Sequence, residues 1–532
     1  MTITNPERPK TLSTNWFYGF LIIIIVLGVL LRCINIDNRI YWGDEIVTSL
    51  RMAGSSYAEG IQNLTNKSTL SISDLMVYQQ PSSSRDLADT VKGLINEEPQ
   101  HAPVYFVLAR LWIQQFHNLG NATVVIRSFS VFVSLLSFIC LYWLCIELFR
   151  SRYIGLIAVA IMAVSPFHLV YAQEARPPAL WTLGIIFSSA IFLRAIRINT
   201  KISWILYSIS VVLNLYTFLF SILVFASHGI YVFIMQRFRL TRVTIMYLVS
   251  IFISTLAFTP WLLIVINKLR EINQATGWSS EKTGTLRLFR LVLNNLRDLV
   301  FSIGEGYAYL TFFLLILIGY SLYLLAVKAP KSVSVFIFSL IGVTIAAILL
   351  PDLINGGAAR SGASRYFIAP YLGINLSIAF VFYQYIDSLN RWLRLSWQAI
   401  LTLWLVLGLV SCISISQSEL SFNQATYRNG LVLARKINEY EQPLIIANAK
   451  FANNFIGLIG LSYKLKPDTQ FQLVDETFQQ QIPKGSKSVF VYGGDSNALL
   501  NDRKEQYEPK IILDDLNNTC CSETLWYLQP KQ

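Results

Sequence analysis

Residues 16–45 read WFYGFLIIIIVLGVLLRCINIDNRIYWGDE, a long apolar run closed by two adjacent carboxylates, Asp44 and Glu45. The run from Trp16 to Ile36 exceeds the roughly 20 residues a helix needs to cross a bilayer core. The acidic pair is therefore expected where that helix leaves the lipid. Ionisable groups at such a depth are unfavourable unless they face a wet cavity, which marks the pair as a candidate functional site. The competing reading is a polar end of an interfacial helix, because acidic residues also favour helix N-termini.

The rest of the chain has the same apolar character. Of 532 residues, 54% are hydrophobic and only 14% are charged, which excludes an ordinary soluble multidomain protein and indicates a polytopic membrane protein. The net charge of +12 does not point to nucleic acid, since Lys and Arg fall in small groups between apolar segments. Membrane topology produces that spacing. Arg8 and Lys10 precede a first run too long for a signal-peptide core and followed by no small-residue cleavage site, so an uncleaved anchor is expected. Cys33, Cys140, Cys145 and Cys412 sit in apolar segments, where a thiol behaves as a small hydrophobe. Cys520 and Cys521 lie in polar sequence, either as a strained vicinal disulfide or as two separate thiols.

Apolar stretches suited to spanning occur at 16–36, 124–148, 154–172, 179–196, 203–219, 220–236, 243–266, 306–327, 332–350, 366–386 and 397–416. About eleven transmembrane helices are expected, with the chain ends on opposite sides. Basic groups mark every second junction: Arg8 and Lys10, Arg150 and Arg152, Arg194 with Arg197 and Lys201, Arg237 with Arg239 and Arg242, Lys328 and Lys331, Arg391 and Arg394. The positive-inside rule puts these on the cytoplasmic side and the acidic pair outside. Between 203 and 236 the region around Asn214 and Ser221 is read as a tight turn separating two helices.

The first external loop, 37–123, is expected to be ordered. Residues 46–62 and 85–97 have helical spacing, with Ser84 as an N-cap and polar sequence between 63 and 84. The stretch from Pro99 to Leu119 is short for a span and carries Arg110, so an interfacial helix is expected. Beyond Ser416 the composition becomes that of a soluble domain. Residues 443–447, 471–474, 488–492 and 524–527 read as strands of a small α/β domain over 417–532, and Gly493-Gly494-Asp495 as a turn. The fold class is thus an α-helical polytopic membrane protein, residues 1–416, followed by this C-terminal domain. No repeat at a fixed period is visible, which lowers the case for a repeat-built transporter.

The topology gathers Asp44, Glu45, Glu98, His101, Tyr105, Glu174, Arg176, Arg360, Arg365 and Tyr366 on the external side. A carboxylate there can take a nucleophile's proton or stabilise positive charge at a reacting carbon. An arginine suits a phosphate, because its planar fork donates two hydrogen bonds at once. Bland readings stand beside these: Arg365 as a snorkelling anchor, Glu174 and Arg176 as a surface pair, and His101 as a helix cap. His117, His168 and His228 are expected to be packed or interfacial, and the histidine spacing argues against zinc. No cofactor is required by the reading, while a carboxylate-bound Mg or Mn stays open.

Asp44-Glu45 after the first helix, His101-Ala102-Pro103-Val104-Tyr105-Phe106 opening the interfacial helix, Tyr171-Ala172-Gln173-Glu174-Ala175-Arg176 at an external helix end, and Arg365-Tyr366-Phe367-Ile368-Ala369-Pro370 opening a later one resemble membrane glycosyltransferases of the GT-C fold. The chain looks most like bacterial relatives of the dolichyl-phosphate-mannose protein mannosyltransferases and of the lipid A aminoarabinose transferase. The resemblance implies inverting transfer of a hexosyl or pentosyl group from a polyprenyl-phosphate sugar at the periplasmic face. It carries the first-loop aspartate onto Asp44 and its acidic neighbour onto Glu45. His101 and Pro103 match the family's His-Pro-Pro element and Arg365 its Arg-Tyr pair. Ala102 stands where the family often has proline, and Pro177-Pro178 where several relatives have an acidic residue, which leaves Glu174 as the substitute.

The expectation is an enzyme of the bacterial inner membrane, multi-pass, with a cytoplasmic N-terminus and a periplasmic C-terminal domain. Asp44 and Glu45 would be catalytic; Glu98, His101, Tyr105, Glu174, Arg176, Arg360, Arg365 and Tyr366 would bind substrate. Its partners would be the lipid-linked donor, membrane lipid and an acceptor that is lipid, glycan or protein. The alternative is a transporter or lipid flippase; against it stands the near absence of ionisable residues within the spans. A ligase using a diphosphate-linked glycan is a third reading.

Overall fold

In a computed structural model of the chain, residues 12–65, 67–280, 282, 284–302, 308–354, 359–475, 487–493, 499–500, 506–513 and 524–531 are described. Arg8, Lys10, Gly494, Asp495, Cys520 and Cys521 lie outside them. The chain divides into two units, Met1–Ile34 with Ser130–Gln173 and Pro177–Ser416, and Asn35–Phe129 with Glu174–Arg176 and Gln417–Gln532.

The first unit is helical. Among the described residues eight helices are long and apolar enough to cross a membrane, nine if the pair Arg152–Ala163 and Pro166–Ala172, bent by 68°, is one span. Lys201–Leu215 and Ser221–Met235 are apolar but shorter, and at 15 residues each they fall short of the core thickness at about 1.5 Å per residue. Among the described residues each expected apolar segment is mainly helical, 154–172 as that bent pair, yet length and composition do not establish eleven crossings. The bend between the paired helices falls at Ser165-Pro166, where proline opens a new helix because it cannot continue the hydrogen-bond ladder of the old one.

The spans are less free of ionisable groups than the sequence suggested. Arg32, near the end of Leu12–Cys33, is buried and donates from Nε to Ser134 Oγ (3.1 Å), from one terminal nitrogen to the carbonyls of Gly28 (2.8 Å) and Ala163 (2.7 Å), and from the other to that of Met162 (3.0 Å). Gly28 allows the approach, since a Cβ there would lie 2.6 Å from Ala163 O. Glu147 in Ala122–Phe149 accepts from Arg197 at 2.8 and 2.9 Å. Both groups are paired, which is how charge persists in an apolar bundle.

In the second unit the C-terminal strands β1 (Pro443–Asn448), β2 (Gln470–Val474), β3 (Ser488–Tyr492), β4 (Tyr507–Leu513) and β5 (Leu525–Pro530) form a sheet of order β2-β1-β3-β5-β4. β1 runs parallel to β2 and β3; β5 runs antiparallel to β3 and β4. The helix Ala452–Ser462 provides the β1-to-β2 crossover. β1 and β3 are buried along their whole length, as their unbroken apolar runs require. β4 was not legible, because Tyr507–Leu513 mixes Glu, Pro and Lys with its apolar residues and has no fully buried position.

The loop 37–123 belongs to this unit and is ordered. Expected helix 46–62 is two helices, Gly43–Ala53 and Tyr57–Thr65, interrupted at Gly54 with φ +74°. The next long helix is Leu87–Glu97, capped by Asp86 and closed by Asp89 rather than by Ser84. Inside the stretch read as polar spacer, Ser71 and Asp74 form a second capping box that starts Ile72–Met76. The expected interfacial helix is Val104–Phe116, with buried Arg110 donating to the carbonyls of Met52 (2.9 Å) and Arg85 (2.5 Å). Leu70 and Phe471 exchange backbone hydrogen bonds of 2.8 Å, which adds the loop to the edge of β2.

Candidate functional site

Gly43–Ala53 starts where extended Trp42 turns its carbonyl to the amides of Glu45 (2.9 Å) and Ile46 (3.0 Å). Asp44 and Glu45 occupy its first turn, where carboxylates are favoured by the exposed amides. Neighbouring positions on a helix diverge by about 100°, and the two acids meet opposite surroundings.

Glu45 is fully buried. Its carboxylate accepts from Arg127 Nε (2.8 Å), from a terminal nitrogen of Arg127 (2.6 Å) and from the amide of Ala175 (2.8 Å). Arg127 also donates to the carbonyls of Ile36 (2.7 Å), Arg39 (3.2 Å) and Ile40 (3.0 Å). The pair thus clamps the segment leading out of the first helix onto the start of Ala122–Phe149. Arg127 was missed by sequence reasoning; the available signal was an arginine at the head of an apolar run.

Asp44 stays accessible, with 35% of its side chain exposed, and pairs with Arg176, whose side chain is only 7% exposed. The Arg176 guanidinium lies 5.2 Å from the centre of the Trp42 ring, and its Nε has no hydrogen-bond partner among the described residues. Glu98, at the end of Leu87–Glu97, accepts from Arg51 Nε at 3.5 Å. Burial first, and then the charge of Asp44, push the Glu98 carboxyl up to about 6, against the pull of Arg51. Arg51 is further held by Glu97, by the Ser55 carbonyl (2.8 Å) and by the Tyr57 ring (4.2 Å).

Glu174 is buried, with one oxygen accepting from Asn423 at 3.3 Å and the other without a partner among the described residues. Burial first, and then the charge of Glu45, raise it to about 7, while Arg176 and Arg39 pull the other way. His101 donates its amide to the Glu98 carbonyl (2.9 Å) and sets its ring near Phe106, 6.1 Å between centres. Tyr105 is fully buried against Phe106 and Phe129, so it supports the loop from within its core.

Asp44, Glu45, Glu98, His101, Tyr105, Glu174 and Arg176 therefore all lie in the second unit, and the first five share the folded loop. Arg360, Arg365 and Tyr366 belong to the first unit. Arg360 pairs with Asp352 at 2.6 Å, and Asp352 also accepts from the Ser361 amide at 2.8 Å. Arg365 lies 5.3 Å from the Tyr366 ring centre, and Tyr366 packs against Phe220 at 4.7 Å. Of the remaining histidines, His168 and His228 are packed, bonded to Ser165 (3.0 Å) and Ser189 (3.2 Å) respectively, and His117 is exposed. Among the described residues no three His, Cys, Asp or Glu side chains cluster as metal ligands would. The arrangement offers one solvent-reachable carboxylate beside a guanidinium, with two further carboxyls able to exchange protons near neutrality.

Neither a family model nor a curated protein sequence matches the chain. Among solved structures it is similar to the Archaeoglobus fulgidus oligosaccharyltransferase in the apo form, at 12% identity over 97% of this chain and 74% of that one, with a TM-score of 0.50. It is also similar to ArnT from Cupriavidus metallidurans bound to undecaprenyl phosphate, at 12% identity over 96% and 98%, with a TM-score of 0.49. The fold is the GT-C fold that the motifs implied, in a multi-pass membrane protein.

Proposed function

We propose that the chain is a polyprenyl-phosphate-sugar-dependent glycosyltransferase of the bacterial plasma membrane, working at the periplasmic face by inversion. The observation that carries the reading is the split within the acidic pair: Glu45 is sealed by Arg127, while Asp44 stays reachable beside Arg176. The fold shared with an oligosaccharyltransferase supports it, as does the order of the motifs.

In the proposed step the acceptor's oxygen attacks the anomeric carbon on the face opposite the phosphate. Asp44 takes the acceptor's proton as the bond from carbon to phosphate oxygen breaks, and the polyprenyl phosphate leaves as the anion. A positioned general base contributes typically 10²–10⁴-fold. Arg176, with an unused Nε donor, suits the departing charge. The Arg365-Tyr366 pair is proposed to serve the lipid phosphate on its motif alone, and Arg360, engaged by Asp352, a lesser part. Glu98 and His101 would border the sugar. No metal is needed for this sequence of bond changes.

The test is transfer of label from a radiolabelled polyprenyl-phosphate sugar in membranes carrying wild type or Asp44→Asn. The expected loss is roughly 10²-fold or more; transfer at the wild-type rate would remove Asp44 from the role. Intact movement of the donor between leaflets without cleavage would make the protein a transporter. Chelation by EDTA is expected to leave the rate unchanged, and loss restored by Mg or Mn would assign a metal.

A further inference from the structure

The second unit holds a cavity of about 420 Å³ whose wall does not include the Asp44–Arg176 pair. Its wall includes Asp37, Arg39, Gln79, Asn121, Tyr463 and Lys464, and neither Asp44, Glu98, Glu174 nor Arg176 borders it. Its size falls within the roughly 300–1,000 Å³ typical of small-molecule sites. The geometry points to a binding site for the sugar portion of the acceptor, shared between the first external loop and the C-terminal domain. This rests on the transferase reading and adds to it what the acceptor is.

Gln79 is the main argument. It is 2% exposed, its Oε1 accepts from the Tyr463 hydroxyl, and its Nε2 has no hydrogen-bond partner among the described residues. A buried amide donor left unmet is unfavourable, so an oxygen acceptor in the cavity would be held firmly. Around it the wall alternates in chemistry. Asp37 accepts from Asn121 Nδ2 (3.0 Å), Lys464 donates to the Asn38 carbonyl (3.2 Å), and the Tyr41 and Tyr463 rings pack at 4.6 Å between centres.

Three ligand chemistries compete for such a wall. An isoprenoid chain would strip water from Asp37, Arg39 and Gln79 and return nothing. A bare phosphate would meet Arg39 and Lys464 but also the carboxylate of Asp37. A sugar satisfies the mixture, because each hydroxyl both donates and accepts while the ring's CH faces can lie on tyrosine. The position favours the acceptor's sugar over the donor's. Tyr41, which lines the cavity, precedes Asp44 by three residues on the chain, so the site adjoins the proposed base without containing it.

The test uses the full-length protein in detergent. Wild type, Gln79→Glu, Lys464→Met and Asp44→Asn are applied to an array of neutral and acidic oligosaccharides, and the best-retained one is then titrated by calorimetry. Gln79→Glu keeps an acceptor for Tyr463 while removing the free donor, and the thermal unfolding of both cavity variants is compared with that of wild type before titration. Wild type is expected to retain at least one oligosaccharide, with affinity at least tenfold lower in Gln79→Glu and in Lys464→Met. Asp44→Asn is expected to bind as wild type does, and neither a polyprenyl-phosphate sugar nor inorganic phosphate should displace the glycan. No retention by wild type, equal affinity in both cavity variants, or displacement by the donor or by phosphate would overturn the assignment. Asp44→Asn separates the two claims: its transfer rate judges the transferase reading, and its glycan affinity judges the cavity.

Discussion

Glu45 and Arg127 form a fully buried ion pair at the site, with five acceptor atoms around one guanidinium and no exposure of either side chain. Removing one partner of such a pair costs about 3–5 kcal/mol, because the other charge is left buried. Glu45→Gln is therefore expected to lower the unfolding temperature in detergent strongly, whereas Asp44→Asn should hardly move it, its pair being partly exposed. An Glu45→Gln protein as stable as wild type but inactive would return Glu45 to the catalytic role. Glu98 and Glu174 predict a pH dependence. Their folded-state carboxyls, raised to about 6 and about 7 from 4.5, keep protons that the unfolded chain has already released. Stability is thus expected to fall as pH rises from about 4.5 through 7 and to level off above, since the unfolded state binds fewer protons in that window. Glu174→Gln should flatten the upper part of this decline, and an unchanged slope between pH 5 and 8 would show that another group causes it. Asp44 as the candidate was legible from its place after the first span. The roles of Arg127 and Gln79 were not, because their partners lie far away along the chain.

At the level of elements, the sequence was most informative where period and length agreed. The long apolar helices of the first unit and four of the five strands fall where apolar runs put them, whereas Leu269–Ala275 and Thr285–Asp298 lie in a stretch read as loop, and short helices in the loop 37–123 were blurred because capping, rather than periodicity, sets their ends. Gly54 illustrates this. It ends Gly43–Ala53 at φ +74°, its amide meeting the carbonyls of Arg51 and Leu50, and a Cβ there would lie 3.0 Å from Asp89 Cβ. Gly54→Ala is expected to destabilise by about 1 kcal/mol or more. Thermal unfolding would detect it, and an unchanged midpoint would mean the turn tolerates a side chain.

For the whole molecule, the loop 37–123 and the tail after Ser416 fall in one unit, joined by the Leu70–Phe471 bridge and the Tyr463–Gln79 hydrogen bond. Truncation after Ser416 is therefore expected to make the loop sensitive to protease added to the protein in detergent, and a loop that stays resistant would show that it folds without the tail. The amino-acid order alone determined that the chain is built from membrane-length helices with a C-terminal sheet, since both follow from local hydrophobic pattern. It also brought out Asp44 and Glu45 together, with Asp44 the central one by the resemblance of its motif. Only the folded chain decided that one is locked and the other open, because that depends on which side of one helical turn meets Arg127, a residue 82 positions away.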